Sequence, residues 1–512
     1  MKRQRNGGRA VLTVIAAAIA GTVAATCVVT ALPGHAYAAD GPGSYTFDPA
    51  AEPIKGTEIN SDAASMKSGA VYRSSIGPGG KLYYRLDLDD ATDAYVSAVA
   101  VPKGGGGKVA YGDGITVSVK DGKGLRCDSQ DARFGSAEFP RPIAAYAARL
   151  IEKDGSSCQQ AGTYNVLIER ETNPTSSNEE WDLELRYETE PGLKSAGSVP
   201  TQAPENWPSA SPPPPTGGQQ RRAGGTGYHD ATSLETGEWR DDIEPGRTLF
   251  YRVPVDWGQQ LFVTADLGSS TVSTKYIGNA LAVALDNPAH GHVDGTTLSY
   301  SGEPTSAALD PVPPVAYENR FDAGNGVSAM RFAGWYYLSV TLSPQVGQSY
   351  GGKALPLVLR VSVEGKAKPT PYQGAAGIFG VSQGDRDMAR TGRSGGSRAA
   401  ESGTMRMVAA GGIGTGAVLV LGLGVWTLLA RRRAAGSEGA GQEATGHMVG
   451  GVAGGMGPGP GGGRGPGGGS GVGGTPGPGV GGVPGAGGMP GVGGTSGVGG
   501  TPGVGGQPPP GR

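Results

Sequence analysis

A ten-residue stretch occurs twice in this chain. Ile76-Gly77-Pro78-Gly79-Gly80-Lys81-Leu82-Tyr83-Tyr84-Arg85 is echoed by Ile243-Glu244-Pro245-Gly246-Arg247-Thr248-Leu249-Phe250-Tyr251-Arg252. Each copy reads as a Pro-Gly turn feeding an aromatic strand that ends in Arg. Further matches follow in the same order. Ser65-x-x-Ser68-Gly69 answers Ser233-x-x-Thr236-Gly237, and Pro142 to Arg149 answers Pro313 to Arg320. Ala161-Gly162-Thr163-Tyr164 answers Ala333-Gly334-Trp335-Tyr336, and Leu183-x-Leu185-Arg186 answers Leu357-x-Leu359-Arg360. The offset drifts only from 167 residues (Ile76 to Ile243) to 174 (Leu183 to Leu357). An ordered series with so small a drift means that one fold is written twice.

Each copy is about 130 residues, an ordinary single-domain size. Within a copy the apolar residues alternate with period two, as in Ile115-Thr116-Val117-Ser118-Val119 and Trp181-Asp182-Leu183-Glu184-Leu185. That is the period of a half-buried strand. Pro78-Gly79, Asp113-Gly114, Asp121-Gly122 and Asp154-Gly155 punctuate the strands as turns. No long stretch carries a helical period. The expected class is all-β, with two tandem antiparallel β-sandwiches. Tyr84 and Tyr251 are expected to face inward, because the second copy keeps turn and aromatic positions while varying the residues between them. Pro78, Gly79, Tyr84 and Arg85, with Pro245, Gly246, Tyr251 and Arg252, are therefore read as fold-specifying rather than ligand-binding.

A Pro-Gly turn, a Tyr-rich strand ending in Arg and a late Ala-Gly-x-Tyr strand resemble the bacterial pre-peptidase C-terminal domain. Pro78, Gly79, Tyr84, Arg85, Gly162 and Tyr164 match its motifs in the first copy, and Pro245, Gly246, Tyr251, Arg252, Gly334 and Tyr336 in the second. The resemblance implies a jelly-roll-like sandwich that serves as a non-catalytic accessory or binding module, and it brings no active site. The whole layout is similar to single-span surface proteins of actinobacteria, in which related segments can follow a von Willebrand factor A domain. This chain has no Asp-x-Ser-x-Ser metal motif, so no such domain is expected.

The ends set the expected address. Lys2, Arg3, Arg5 and Arg9, an apolar run from Val11 to about Leu32, and Ala36-Tyr37-Ala38 read as a cleaved signal peptide over residues 1–38. The apolar run from Met407 to Ala430 is long enough, at about 36 Å of helix, to cross a hydrocarbon core of about 30 Å. Arg431-Arg432-Arg433 follows it and places the chain after the span in the cytoplasm. The expected order is an irregular lead-in (39–60), sandwich one (61–190), a Pro/Gly/Ser linker (191–227), sandwich two (228–365), a stalk (366–406), the span (407–430) and a tail (431–512). The tail is dominated by Gly, Pro and Val and cannot bury a core, so it is expected to be disordered. Gly412-x-x-x-Gly416 would let a second copy of the span approach closely as a homodimer.

Three cysteines are present, and Cys27 falls in the leader. The remaining Cys127 and Cys158 are the pair expected to form one disulfide in an exported protein. Repeat alignment places Val293 and Met330 opposite them, which suggests an apolar contact in place of the disulfide. His290-x-His292-x-Asp294 has metal-ligand spacing on paper, but its place in the repeat is a turn. Asp87, Asp89, Asp90 and Asp93 cluster at a strand end without the Gly-punctuated loop that calcium needs, and read as a solvated turn. Gly104 to Lys108 is followed by Val109 where a P-loop needs Ser or Thr. Trp239, Trp257, Trp335 and the Tyr pairs are read as core before glycan contacts. A formal net charge of −2 gives no field for nucleic acid. No cofactor, metal or catalytic residue is expected. The expected role is non-enzymatic, with the two modules presented at the cell surface to envelope polymer or another surface protein. The alternatives are an accessory subunit of a surface or secreted hydrolase or protease or of a von Willebrand-type partner, and an unrecognised enzyme.

Overall fold

A computed structural model describes residues 44–103, 107–152, 155, 157–194, 202–396 and 426–427. The first repeat contributes β1 (Glu52–Pro53), β2 (Ala64–Ser65), β3 (Ala70–Ile76), β4 (Lys81–Leu88) and β5 (Ala94–Val101). It continues with β6 (Gly114–Lys120), β7 (Arg126–Arg133), β8 (Ile143–Arg149), β9 (Gly162–Glu171) and β10 (Trp181–Thr189). The second repeat contributes β11 (Gln219–Arg221), β12 (Thr232–Ser233), β13 (Gly237–Ile243), β14 (Thr248–Val255) and β15 (Gln260–Leu267). It continues with β16 (Ile277–Asp286), β17 (His292–Tyr300), β18 (Thr305–Ala308), β19 (Gly334–Leu342) and β20 (Leu355–Glu364).

Helices are short: α1 (Asn325–Ala329), α2 (Pro344–Tyr350) and α3 (Gln383–Thr391). The strands form four five-stranded sheets. In the first repeat the orders are β1-β3-β10-β5-β8 and β2-β4-β9-β6-β7. In the second they are β11-β13-β20-β15-β18 and β12-β14-β19-β16-β17, so every strand has its counterpart ten places on. Pairing is antiparallel except at one edge of each sheet, where the short strands β1, β2, β11 and β12 lie parallel to their neighbours.

The repeated ten residues build the entry to each pair of sheets. Gly80 N donates to Gly77 O at 3.0 Å, and Arg247 N to Glu244 O at 3.1 Å. Proline stands second in both turns, and the third residues, Gly79 and Gly246, have φ of 65° and 80°. This is the type II arrangement, whose third position favours glycine. β4 then alternates: Tyr84, Leu86 and Leu88 are buried and Arg85 and Asp87 exposed. Tyr84 donates to Ser74 Oγ at 2.9 Å, and Tyr251 donates to Asp241 Oδ2 at 2.8 Å, a topologically equivalent position. Both tyrosines face inward.

The later motif is also shared. Gly162 and Gly334 have φ of 148° and 142°, a region that side chains avoid. Two residues on, the Tyr164 hydroxyl donates to Gln160 O at 2.6 Å and that of Tyr336 to Phe332 O at 2.8 Å. In each repeat the two sheets close on a common apolar core. In the first it joins Tyr72, Val96, Leu183 and Leu185 of one sheet to Tyr84, Ile115, Val166 and Ile168 of the other.

Four expectations need correction. Residues 313–320 are not the counterpart of β8: that place is taken by β18, which pairs with β15 as β8 pairs with β5. Residues 317–321 instead form a single 3-10 turn. The lead-in is not wholly irregular, since β1 extends a sheet and Tyr45 is buried. The expected linker does not hold the repeats apart, because Tyr95, Tyr146 and Ala148 of the first share an apolar cluster with the core of the second. The expected stalk over residues 366–396 folds back: Tyr372, Phe379 and Met388 are buried and α3 packs against β12 and β14. Apolar side chains spaced through a polar stretch are enough to dock it.

Among the described residues no helix is long and apolar enough to cross a membrane. The leader (1–38), Cys27, the tail (431–512), Gly412, Gly416 and all of the 407–430 segment except Trp426 and Thr427 lie outside the described residues.

Candidate functional site

Two strands of the first repeat break the alternation rule. β5 is buried along both faces, and so is β8. Val96, Ala98 and Ala100 enter their own core, while Tyr95 and Val99 point the other way, into apolar clusters of the second repeat. On β8, Ala145 and Ala147 go inward and Ala144, Tyr146 and Ala148 go across. The small alanines let the two repeats approach closely. The junction so formed carries two clusters of buried ionisable groups.

One cluster centres on Arg320, whose side chain is 5% exposed. It bonds Glu190 at 2.6 Å and Asp93 at 3.2 Å, both from the first repeat. Its guanidinium lies over the Tyr317 ring at 3.4 Å. Tyr95 and Tyr372 each donate to Glu190 at 2.7 Å. The cluster thus ties the first repeat to the second and to the segment after it. Burial pushes the Asp93 carboxyl up to about 6, helped by the Glu190 charge and opposed by Arg320. Burial and a like charge here outweigh the ion pair.

A second cluster lies along β10. Glu184 accepts from Tyr45 at 3.2 Å and from Asp48 N at 2.9 Å. Asp48 pairs with His229 Nδ1 at 3.2 Å, and that hydrogen bond raises the histidine above its usual range. On the second repeat's side Tyr228 donates to Asp286 at 2.6 Å, and Asp286 also meets His292 Nδ1 at 3.4 Å. His290 stacks on Tyr228 at 4.2 Å. Burial drives its pKa well down, with Arg186 adding to the effect, so its ring is neutral. Two cavities adjoin the junction, of about 280 and 170 Å3, and both are lined by Asp131, Ala144 and His292.

The residues singled out in the sequence are mostly spread over the fold rather than gathered. Pro78, Gly79, Pro245 and Gly246 form the two entry turns. Arg85 is exposed beside Asp87 at 3.5 Å. Arg252, its counterpart, is buried, stacks on Trp335 at 4.0 Å and donates to Ser233 Oγ at 3.0 Å. Cys127 and Cys158 form the disulfide, which borders the larger cavity. Val293 and Met330, at the equivalent positions, are both buried in one core cluster.

His290, His292 and Asp294 do not converge: His290 packs on Tyr228, His292 meets Asp286, and Asp294 accepts from Asp310 N. Among the described residues no three His, Cys, Asp or Glu side chains are grouped to hold a metal ion. Trp239 and Trp257 are core. Of the aspartate cluster, Asp89 caps its own turn through Ala91 and Thr92, but Asp93 belongs to the Arg320 cluster. Sequence reasoning missed Asp93, Glu190, Arg320 and Tyr372 as a group. The available signal was the composition of β5, in which Ser97 is the single polar side chain among eight residues, so that neither face suits solvent.

The chain matches no family model, and no curated protein matches it. Among solved structures it is similar to naturally occurring empty particles of Cowpea mosaic virus, at 9% identity over 62% of this chain and 97% of that one, with a TM-score of 0.17. It is also similar to the CUB1-EGF-CUB2 domain of human MASP-1/3, at 8% identity over 57% and 99% with a TM-score of 0.14. A third is the tandem CBM22-1-CBM22-2 domain of Paenibacillus barcinonensis Xyn10C, at 11% identity over 58% and 92% with a TM-score of 0.15. These likenesses are too slight to carry an argument about fold or activity.

Proposed function

We propose that this chain is an exported, membrane-tethered surface protein whose two repeats act as one rigid, non-enzymatic binding or scaffolding body. The observation that carries the reading is the burial of β5 and β8 on both faces by the second repeat. Two modules strung on a linker sample many separations. Two modules sharing a core present their loops at one fixed spacing, which suits a scaffold or a binder of an extended partner. Each repeat is read as a jelly roll, since the orders β3-β10-β5-β8 and β4-β9-β6-β7 are those that two interleaved Greek keys generate. This order supports the resemblance to pre-peptidase C-terminal domains.

The disulfide and the leader-like N-terminus support export. The apolar run at 407–430 with Arg431-Arg432-Arg433 behind it supports a single span with the repeats outside. Envelope polymer or another surface protein is the partner class. The ionisable groups of the junction bond one another, which is the chemistry of a clasp rather than of a poised nucleophile.

Protease shaving of intact cells carrying the full chain tests the topology. The repeats should be lost to external protease while a C-terminal epitope tag survives. Survival of both, or loss of the tag, overturns it. Affinity capture with the full chain from solubilised envelope tests the role. Retention on purified wall polymer or on a surface protein supports the binding reading, and turnover of a wall substrate by the chain alone defeats it.

A further inference from the structure

The larger of the two junction cavities, at about 280 Å3, is roomy enough for a ligand of amino-acid size and falls just below the range of about 300–1,000 Å3 typical of drug-sized sites. It lies beside the disulfide and takes its walls from both repeats. Arg331 lines it and is only 7% exposed. Its Nε donates to Ser328 O at 2.6 Å, but its two terminal nitrogens have no hydrogen-bond partner among the described residues. Tyr146, 9% exposed, also lines the cavity, and its hydroxyl likewise has no partner there. These donors are not sealed from solvent but face the open cavity, where a guanidinium presents a fork of N–H groups suited to a carboxylate. Burial alone would weaken the Arg331 charge, but the oxygens of Tyr146, Tyr95 and Glu190 outweigh it and hold the group protonated.

The same cavity has an acidic side. Asp128 is held in place, its oxygens accepting from Ser129 N at 2.7 Å and Ala148 N at 2.9 Å. Asp131 and Glu152 stand at the exposed rim, Asp131 bonded to Arg133 at 2.7 Å. One cavity thus sets a guanidinium among three carboxylates, Asp128, Asp131 and Glu152. A molecule with both charges matches both walls.

We propose that this cavity binds a small zwitterion of amino-acid size, its carboxylate taken by Arg331 and Tyr146 and its cationic group turned toward Asp131 and Glu152. The assignment rests on the cavity itself and stands whether or not the chain is tethered to a membrane.

The test is calorimetric titration of the full chain with L-lysine, with cadaverine (the same molecule without its carboxylate) and with hexanoate (without its amines). L-lysine should bind, and each analogue at least tenfold more weakly. Arg331→Gln should weaken L-lysine at least tenfold. Tyr146→Phe should weaken it several-fold, and Asp131→Asn should weaken L-lysine while leaving hexanoate unchanged. Melting curves establish that each variant is folded. Should Arg331→Gln not fold, the Tyr146 and Asp131 variants decide the question. Absence of L-lysine binding to the folded wild type, equal binding of either analogue, or unchanged affinity in the folded variants overturns the proposal.

Discussion

Replacing Arg320 by methionine removes a guanidinium while keeping most of the side-chain volume. Its partners stay behind: Glu190 at 2.6 Å and Asp93 at 3.2 Å, with side chains 3% and 13% exposed. At a charge separation of about 4 Å and an effective dielectric of about 20, each attraction is worth about 4 kcal/mol before desolvation is subtracted. The repulsion between Asp93 and Glu190 is then unopposed. Removing one partner of a buried pair typically costs about 3–5 kcal/mol, because the other charge is left without compensation. Solvent screening needs no discount here, since the arginine is 5% exposed.

Such a loss should lower the melting temperature by roughly 5–10 °C, allowing for a cooperative unit larger than a small domain. Thermal and urea unfolding of the full chain read it out. The companion variant Arg320→Met with Glu190→Gln removes one of the stranded charges and should recover at least about 1 kcal/mol of the loss, because a neutral acceptor still serves Tyr95 and Tyr372. A single-variant loss below about 1 kcal/mol, or no recovery in the pair, would show that the cluster is not a buried clasp.

The part of the stability that Asp93 supplies, read as the wild type minus Asp93→Asn, should be larger near pH 4 than near pH 8, while the buried neutral His290 acts on the whole chain with the opposite sign. Asp93 has a folded-state pKa raised to about 6, so its contribution is fully present below about 4 and is lost as pH climbs through 6, up to roughly 2–3 kcal/mol. His229, raised by Asp48, acts with the same sign, its contribution being lost as pH rises through its folded-state value. Melting curves of the wild type and Asp93→Asn across that range check this, and a difference between the two that stays constant with pH would contradict it. Reduction of the Cys127–Cys158 disulfide, with a sequence separation of 31, should cost about 3–4 kcal/mol of loop-closure entropy, measured by unfolding with and without reductant. Gly162→Ala should cost about 1–3 kcal/mol for backbone strain alone, because open space surrounds that position. Gly334→Ala should cost more, since a new methyl would collide with the Ile378 carbonyl and with Pro288. Equal losses in the two variants would refute the steric part of that reasoning.

The sequence by itself determined the local grammar. Pro78-Gly79 and Pro245-Gly246 dictate their turns because only glycine takes the third position cheaply, and period-two alternation told β4 which side was in. The Ala-Gly-x-Tyr motif could also be read, since the glycine conformation and the tyrosine bond four residues back are both short-range. A helix signal was present at Ser382 to Asp385, where Ser382 and Asp385 cap each other at 3.1 and 2.8 Å, but it was hidden in a polar stretch.

Tertiary structure decided the rest. Arg149 and Arg320 align in the sequence, yet Arg149 donates to the backbone oxygens of Asp89, Thr92, Cys158 and Gln160 while Arg320 pairs with two carboxylates. Arg85 and Arg252 share a position, yet one is solvated and the other sits on Trp335. Such fates depend on groups far away in sequence, and no local pattern carries that information. β5 marks the boundary between the two kinds of knowledge. Its residues are apolar but for Ser97 and leave no polar face for solvent, and only the folded chain showed that the second repeat covers the outer side.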